Sequence, residues 1–346
     1  MLRSLAVALL LASCWGAGRE TIIFDTDSGL FGDDGAALVM MLRSPGQIAV
    51  QGITIVPGNV WGPQGAECMF HILDLLKRPQ VPVLIGAAGP LIHNAEMAKE
   101  AERRWGALEF TGAFAQNPLT VIPAPGFKLT GRKPRHDAVA FMVSEIDRRP
   151  GEVTLLALGP MTNIALAIRL RPDIEAKIKR IVFMGGNVNV PGNASQAAEF
   201  NFWFDPEAAR IVLRSRIPHK IMFGLDICNQ APIKKAEFEQ IAAARTPIAA
   251  LFREDLGNRY PGFYKKPNGT AYMWDTLAAA YLLDPDYVTR YETRYVDVQT
   301  NWGQYYGSTV PLDRRAVPYA TPVTVMLGLD FRRVFSLYKD LLTRAE

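Results

Sequence analysis

Short apolar runs alternate with longer stretches in which apolar residues recur every three or four positions, and the alternation extends along the chain. The runs at 21–24, 48–56, 81–85, 153–158, 180–184 and 220–225 read as strands, and the stretches between them as helices. Two later runs, 295–300 and 323–330, predict further strands, and 331–342 predicts a closing helix. Strands separated by helices in this way predict an α/β fold, a mostly parallel open sheet covered by helices on both faces. No low-complexity linker and no internal repeat interrupts the pattern, so residues 19–346 are expected to form a single domain. Open sheets of this kind bind ligands outside the carboxyl ends of their strands.

The first of those ends is unusually acidic. The run Ile22-Ile23-Phe24 leads into Asp25-Thr26-Asp27, a glycine-bearing loop follows, and Asp33-Asp34 opens a helical pattern. Strand alternation turns Asp25 and Asp27 the same way, and the loop returns Asp33 and Asp34 beside them. Taken singly, Asp33 or Asp34 could simply favour a helix N-terminus, but capping does not account for four carboxylates together. Hard oxygen donors at this density suit Ca²⁺ or Mg²⁺, and the chain has no paired Cys or His spacing of the kind zinc takes.

Other strand ends carry polar turns. Pro57-Gly58-Asn59 follows the second run, Gly159-Pro160-Met161-Thr162-Asn163 the fourth, and Gly185-Gly186-Asn187 the fifth. Beyond these lie Pro191-Gly192-Asn193, Ala198-Glu199-Phe200-Asn201 and Asp205-Pro206-Glu207-Ala208-Ala209. Each alone is ordinary turn chemistry, whereas their shared position at strand ends points to a binding face.

From Asp25 to Asp275 these segments resemble, in order and spacing, the inosine/uridine-type nucleoside hydrolases, with a Rossmann-like fold. The resemblance implies a Ca²⁺ held by Asp27, Asp34, the backbone carbonyl of Leu158 and Asp275, with Asp27 also acting as the general base. It further implies that Asp33, Asn59, Asn193, Glu199 and Asn201 bind the sugar hydroxyls and that Met184 packs beneath the sugar. The activity expected is hydrolysis of ribonucleosides to ribose and free base, serving salvage, by an enzyme that is commonly a dimer or tetramer. The chain departs from the commonest pattern in two places. Its loop from Gly29 to Asp33 is longer than the shortest form, and Trp274 stands before the last metal-binding Asp where many members have His. An indole cannot donate a proton as an imidazolium does, but it can stack on a base, as in the purine-preferring branch. Trp274 is therefore expected to ease departure of the base, and purine nucleosides are the expected substrates. Trp61 or Trp105 is a candidate second aromatic wall and His93 a candidate proton donor; His71, His136 and His219 are expected to be structural or superficial.

Two other readings stay open: a calcium-dependent nucleoside- or ribose-binding protein without turnover, and a dehalogenase-type phosphatase using Asp25 or Asp27 as nucleophile with Mg²⁺. The formal charge of +4 in 346 residues is spread without a basic run and gives nucleic-acid binding no support. Residues 1–18 begin with Arg3 followed by an apolar run too short to span a bilayer, and read as an export signal to the periplasm. Leu11-Ala12-Ser13-Cys14 also looks like a lipobox that would make Cys14 a lipid anchor; an ordinary cleavage site near Gly16 to Gly18 is the alternative. Cys68 and Cys228 receive no role.

Overall fold

The computed structural model describes residues 18–29, 31–116, 120–124, 126–259, 271–313, 317 and 319–345. Residues 1–17, with Cys14 and nearly all of the expected export signal, lie outside the described residues. The centre is a set of parallel strands, β1 (Glu20–Thr26), β2 (Ile48–Ile55), β3 (Val83–Ile85), β4 (Val153–Ala157), β5 (Arg180–Met184) and β6 (Lys220–Phe223). A short ribbon pairs β7 (Pro232–Ile233) with β8 (Ala271–Tyr272). The main sheet is completed by β9 (Val288–Val298), β10 (Thr309–Pro311) and β11 (Pro322–Leu329), in the order β10-β9-β11-β6-β5-β4-β1-β2-β3. β11 runs parallel to β6, while β9 is antiparallel to both of its neighbours.

Strand side chains divide between two apolar layers by simple alternation. Ile22 and Phe24 of β1 join one core cluster, with Ile53, Ile55, Leu156 and Val182, while Ile23 joins the other, with Leu155, Ile181 and Phe183. A sheet buried on both faces needs apolar residues at successive positions, which is why these strands read as continuous runs. On one face the helix Gly32–Leu42, buried from Asp34 to Leu42, packs against the helices Trp274–Tyr281 and Phe331–Thr343. No helix among the described residues is long and apolar enough to cross a membrane.

Strand order reverses at one place: β1 to β3 are laid down in one direction, and β4 to β6 in the other, starting on the opposite side of β1. The carboxyl ends of β1 and β4 therefore flank the switch-point crevice.

The predicted strands are present with shifted ends. β3 begins at Val83 rather than at 81, since Pro82 has no N–H and offers only its carbonyl, which Ile53 N–H meets at 2.9 Å. The sixth run ends at Phe223, and Leu225–Cys228 is helical. β9 starts at Val288, seven residues ahead of the expected 295, because its first half carries exposed or half-buried polar residues. The polar stretch around Trp105 is a helix, Ala95–Trp105, capped by Asn94 Oδ1, which accepts from Glu96 N and Met97 N.

Candidate active site

Asp27 follows the last residue of β1 and is buried (1 % exposed). Its Oδ2 accepts the Asn59 backbone N–H at 2.8 Å, and its Oδ1 the Asn59 side-chain amide at 3.2 Å. Two glycines make room for it. A Cβ on Gly58, after β2, would lie 2.0 Å from Asp27 Oδ2; one on Gly159, after β4, would lie 2.8 Å from Asp27 Cβ. The two strands that flank β1 are thus each followed by a glycine beside this one carboxylate. Asp25 lies deeper in the strand. Its Oδ1 accepts Thr54 Oγ1 at 2.6 Å and Asn163 Nδ2 at 2.9 Å, and burial pushes its carboxyl up to about 7. Asn163 also receives Ala87 N–H and donates to the Ile55 carbonyl, so the Gly-Pro-Met-Thr-Asn turn locks strand ends together.

Asp33 and Asp34 occupy the first turn of the helix Gly32–Leu42, whose N-cap, Phe31, makes no side-chain capping bond. Asp275 enters from the first turn of the helix Trp274–Tyr281. Carboxylate oxygens of Asp33, Asp34 and Asp275 lie within 4.8 Å of one another. Asp27 stands next to this group, joined through Asn59, whose Nδ2 also lies 3.4 Å from Asp34 Oδ2. Thr26 Oγ1 donates to Asp34 Oδ1. Burial first, and then the Asp34 carboxylate, push Asp27 well above the ordinary carboxylate range; burial followed by Asp33 and Asp34 does the same to Asp275. Buried like charges this close are relieved by a cation, and the donors are all hard oxygens, which fits a divalent ion of the Ca²⁺ or Mg²⁺ type.

These groups border a cavity of about 400 Å³ that also reaches Asn59, Leu158, Met184, Asn193, Glu199, Asn201 and Trp274. All the residues that the resemblance assigned to metal, sugar or base line it except Asp34, which is bonded to Thr26 and reached by Asn59. Asn201 Nδ2 donates to the carbonyls of Leu158 and Met184, each at 3.0 Å, lacing the ends of β4 and β5. Glu199 is buried rather than a surface charge. It accepts from Gly186 N, Asn201 N and Phe202 N and so caps the helix Phe200–Phe204. These bonds fix the orientation of the carboxylate where Glu199 borders the cavity. Asn193 Oδ1 accepts Phe200 N, leaving its NH₂ to donate into the cavity.

The rest of the lining was not singled out from the sequence: Phe110 and Phe200, ring centroids 4.7 Å apart, Tyr272, 5.5 Å from the predicted Trp274, and the polar Glu109 and Asn229. Tyr272 stands two residues before Trp274, and its place beside that ring comes from the passage from β8 into the helix Trp274–Tyr281. Glu109 and Phe110 lie in irregular chain that carries no periodic signal.

Three sequence candidates belong elsewhere. His93 is enclosed by the rings of Phe114, Trp203, Trp302 and Tyr306, and burial holds its imidazole down to about 4, so it is a packed neutral ring and no acid for this cavity. Trp61 packs on Phe114 and Trp105 on Trp302; neither reaches the cavity. Cys68 and Cys228 are buried and unbridged.

One end of the cavity suits a cation and a polyol, the other a flat heterocycle, and an enzyme that cuts between those two parts is an N-glycosyl hydrolase. A family model described as inosine-uridine preferring nucleoside hydrolase matches residues 22–336, and the chain belongs to that metal-dependent family. It is 36% identical over 312 residues to the pyrimidine-specific ribonucleoside hydrolase RihA of Salmonella agona, covering 89% of this chain and 94% of that protein. Among solved structures it is similar to the plant nucleoside hydrolase PpNRh1 (27% identity, TM-score 0.77, covering 94% of this chain and 99% of that one). It is also similar to a purine-preferring ribonucleoside hydrolase from Gardnerella vaginalis (25% identity, TM-score 0.73, covering 94% and 98%). The open parallel sheet is the fold of these enzymes.

Proposed function

We propose that the protein hydrolyses the N-glycosidic bond of purine ribonucleosides with Ca²⁺ as its ion. The observation that carries this reading is a cavity in which buried carboxylates meet two pairs of aromatic rings. Asp34, Asp275, Asp27 and the Leu158 carbonyl would hold the ion, with Asp33 among the same oxygens. When bound, a divalent cation supplies positive charge that makes a nearby water more acidic and orients vicinal hydroxyls.

The protein's own groups account for the rest. Asp27, pinned by Asn59, takes a proton from the attacking water. Glu199, Asn193, Asn59 and Asn201 surround the sugar with oxygen and amide groups that favour positive charge developing on the ring. Met184 supplies an apolar floor, and Trp274 with Tyr272 a face for the base.

Purine preference is supported by the aromatic lining and by likeness to the purine-preferring Gardnerella enzyme. Pyrimidine nucleosides are the second reading, favoured by the name of the Salmonella relative. The phosphatase alternative falls with the family assignment. Export through residues 1–18 is proposed on sequence grounds.

The test is base release from inosine, guanosine, adenosine, uridine and cytidine, with and without chelator, beside Asp27→Ala. Chelator-sensitive purine release absent in the variant is expected. Faster turnover of uridine and cytidine would replace purines with pyrimidines, and ligand binding without turnover of any nucleoside would sink the hydrolase reading.

A further inference from the structure

N-Glycosidic cleavage requires a proton on the departing base, and the groups assigned so far do not supply one. No histidine lines the cavity among the described residues. The Trp274 indole is not an acid, and its Nε1 is buried without a protein partner. Glu199 already accepts three backbone N–H groups, and Asp33 and Asp275 lie at the cation end. At the base end three polar side chains remain among the described residues: Glu109, Asn229 and Tyr272. Glu109 is exposed at the mouth, where a carboxylate only accepts, and an amide such as Asn229 does not release a proton.

Tyr272 differs from both. Its hydroxyl makes no hydrogen bond with the described residues, and its backbone is fixed in β8 opposite Pro232. Met273, fully buried, anchors the next residue through its N–H to the Ala231 carbonyl at 3.0 Å. Tyr272 ends β8 and Trp274 opens the next helix, and their rings meet across Met273, 5.5 Å apart at 35°. Both line the cavity, and Asp275 of the carboxylate group follows directly. One four-residue segment thus presents a hydroxyl, a stacking wall and a cation ligand to the same cavity.

We propose that Tyr272 is the catalytic acid for the leaving group, a role that rests on the hydrolase reading above. As the C1′–N bond breaks, its electron pair stays with the base and a ring nitrogen takes the proton from Tyr272 Oη. Water delivers hydroxide to C1′ and its proton to Asp27. Solvent then reprotonates the tyrosinate and accepts the proton from Asp27, so the net change is consumption of one water.

The experiment compares intact wild type and Tyr272→Phe, both supplied with Ca²⁺, on three substrates. Inosine needs a protonated leaving group; p-nitrophenyl β-D-ribofuranoside and 7-methylguanosine do not, because nitrophenolate and a base that is already cationic depart unaided. Loss of about 100-fold in kcat on inosine is expected, with the other two substrates within about threefold of wild type. Calorimetric affinity for ribose is expected to be unchanged, which shows an intact sugar site. Parallel losses on all three substrates would reduce Tyr272 to a packing or positioning residue and overturn the proposal, as would full retention of inosine turnover. Wild-type cleavage of none of the three would instead remove the hydrolase reading on which the proposal stands.

Discussion

Replacing Gly58 by alanine tests the idea that Asp27 works only because the strand on one side leaves it space. The added Cβ would sit 2.0 Å from Asp27 Oδ2, 2.7 Å from Cγ and 2.8 Å from Cβ, where ordinary contact begins near 3.4 Å. The oxygen must therefore retreat by about 1.4 Å, the difference between 3.4 and 2.0 Å. It cannot swing freely away, because Asn59 holds both of its oxygens, one through its backbone N–H and the other through its side-chain amide. Retreat also breaks the 2.8 Å bond from Asn59 N–H that aligns the carboxylate. Misplacing a reacting group by about 1 Å costs on the order of 100-fold, and crowding a packed site about 1–3 kcal/mol of stability. The assay is kcat/KM for inosine together with urea unfolding, with Gly46→Ala as control, since a Cβ there meets nothing within 4 Å. A Gly58→Ala enzyme within about threefold of wild type, equally stable, would refute the argument that steric room at Gly58 positions Asp27.

Other consequences are open to measurement. His93 is held down to about 4 from an ordinary 6.5, so the unfolded chain gains its proton first as pH falls; that stability is present above about 6.5 and lost towards 4. About 2 kcal/mol should be gone by pH 5, and urea unfolding of His93→Phe should lack that part of the acid slope; identical slopes would count against burial as the cause. Calcium should raise the unfolding free energy by about 2.7 kcal/mol at a hundredfold excess over its Kd, and a chelator should reverse it. An unfolding midpoint indifferent to both would argue against an ion among Asp33, Asp34 and Asp275. Trp274→Ala should lower kcat/KM on purine nucleosides by about 5- to 150-fold, the equivalent of about 1–3 kcal/mol of stacking. An equal loss on p-nitrophenyl riboside would mean that Trp274 only supports the adjoining Asp275.

The parts of the fold legible in the sequence were those buried on both sides. β1, β2, β4, β5 and β6 present consecutive apolar residues to two helical layers and could be read directly. β9 could not be read at its start, because Thr289, Arg290, Glu292 and Arg294 face solvent or only partly bury, so its pairing with β11 leaves little apolar signature. β10 and the β7–β8 ribbon are two or three residues long and exist through their partners, which no local window can display.

In the site, the same distinction separates charge from shape. Carboxylates announce themselves, since four of them at one strand end have no cheap structural explanation. Gly58 and Gly159 looked like ordinary turn residues, and their purpose becomes visible only when β2 and β4 are laid beside β1 and both glycines fall against Asp27. The sequence likewise suggested His93 as an acid because histidine is the usual one near neutral pH, whereas packing places it among four aromatic rings and suppresses its charge. What a short motif can encode is the chemistry of the groups gathered at the switch point. Which aromatic and hydroxyl groups face them is decided by chain segments far apart in sequence, such as Phe110 against Phe200, and so had to come from the fold.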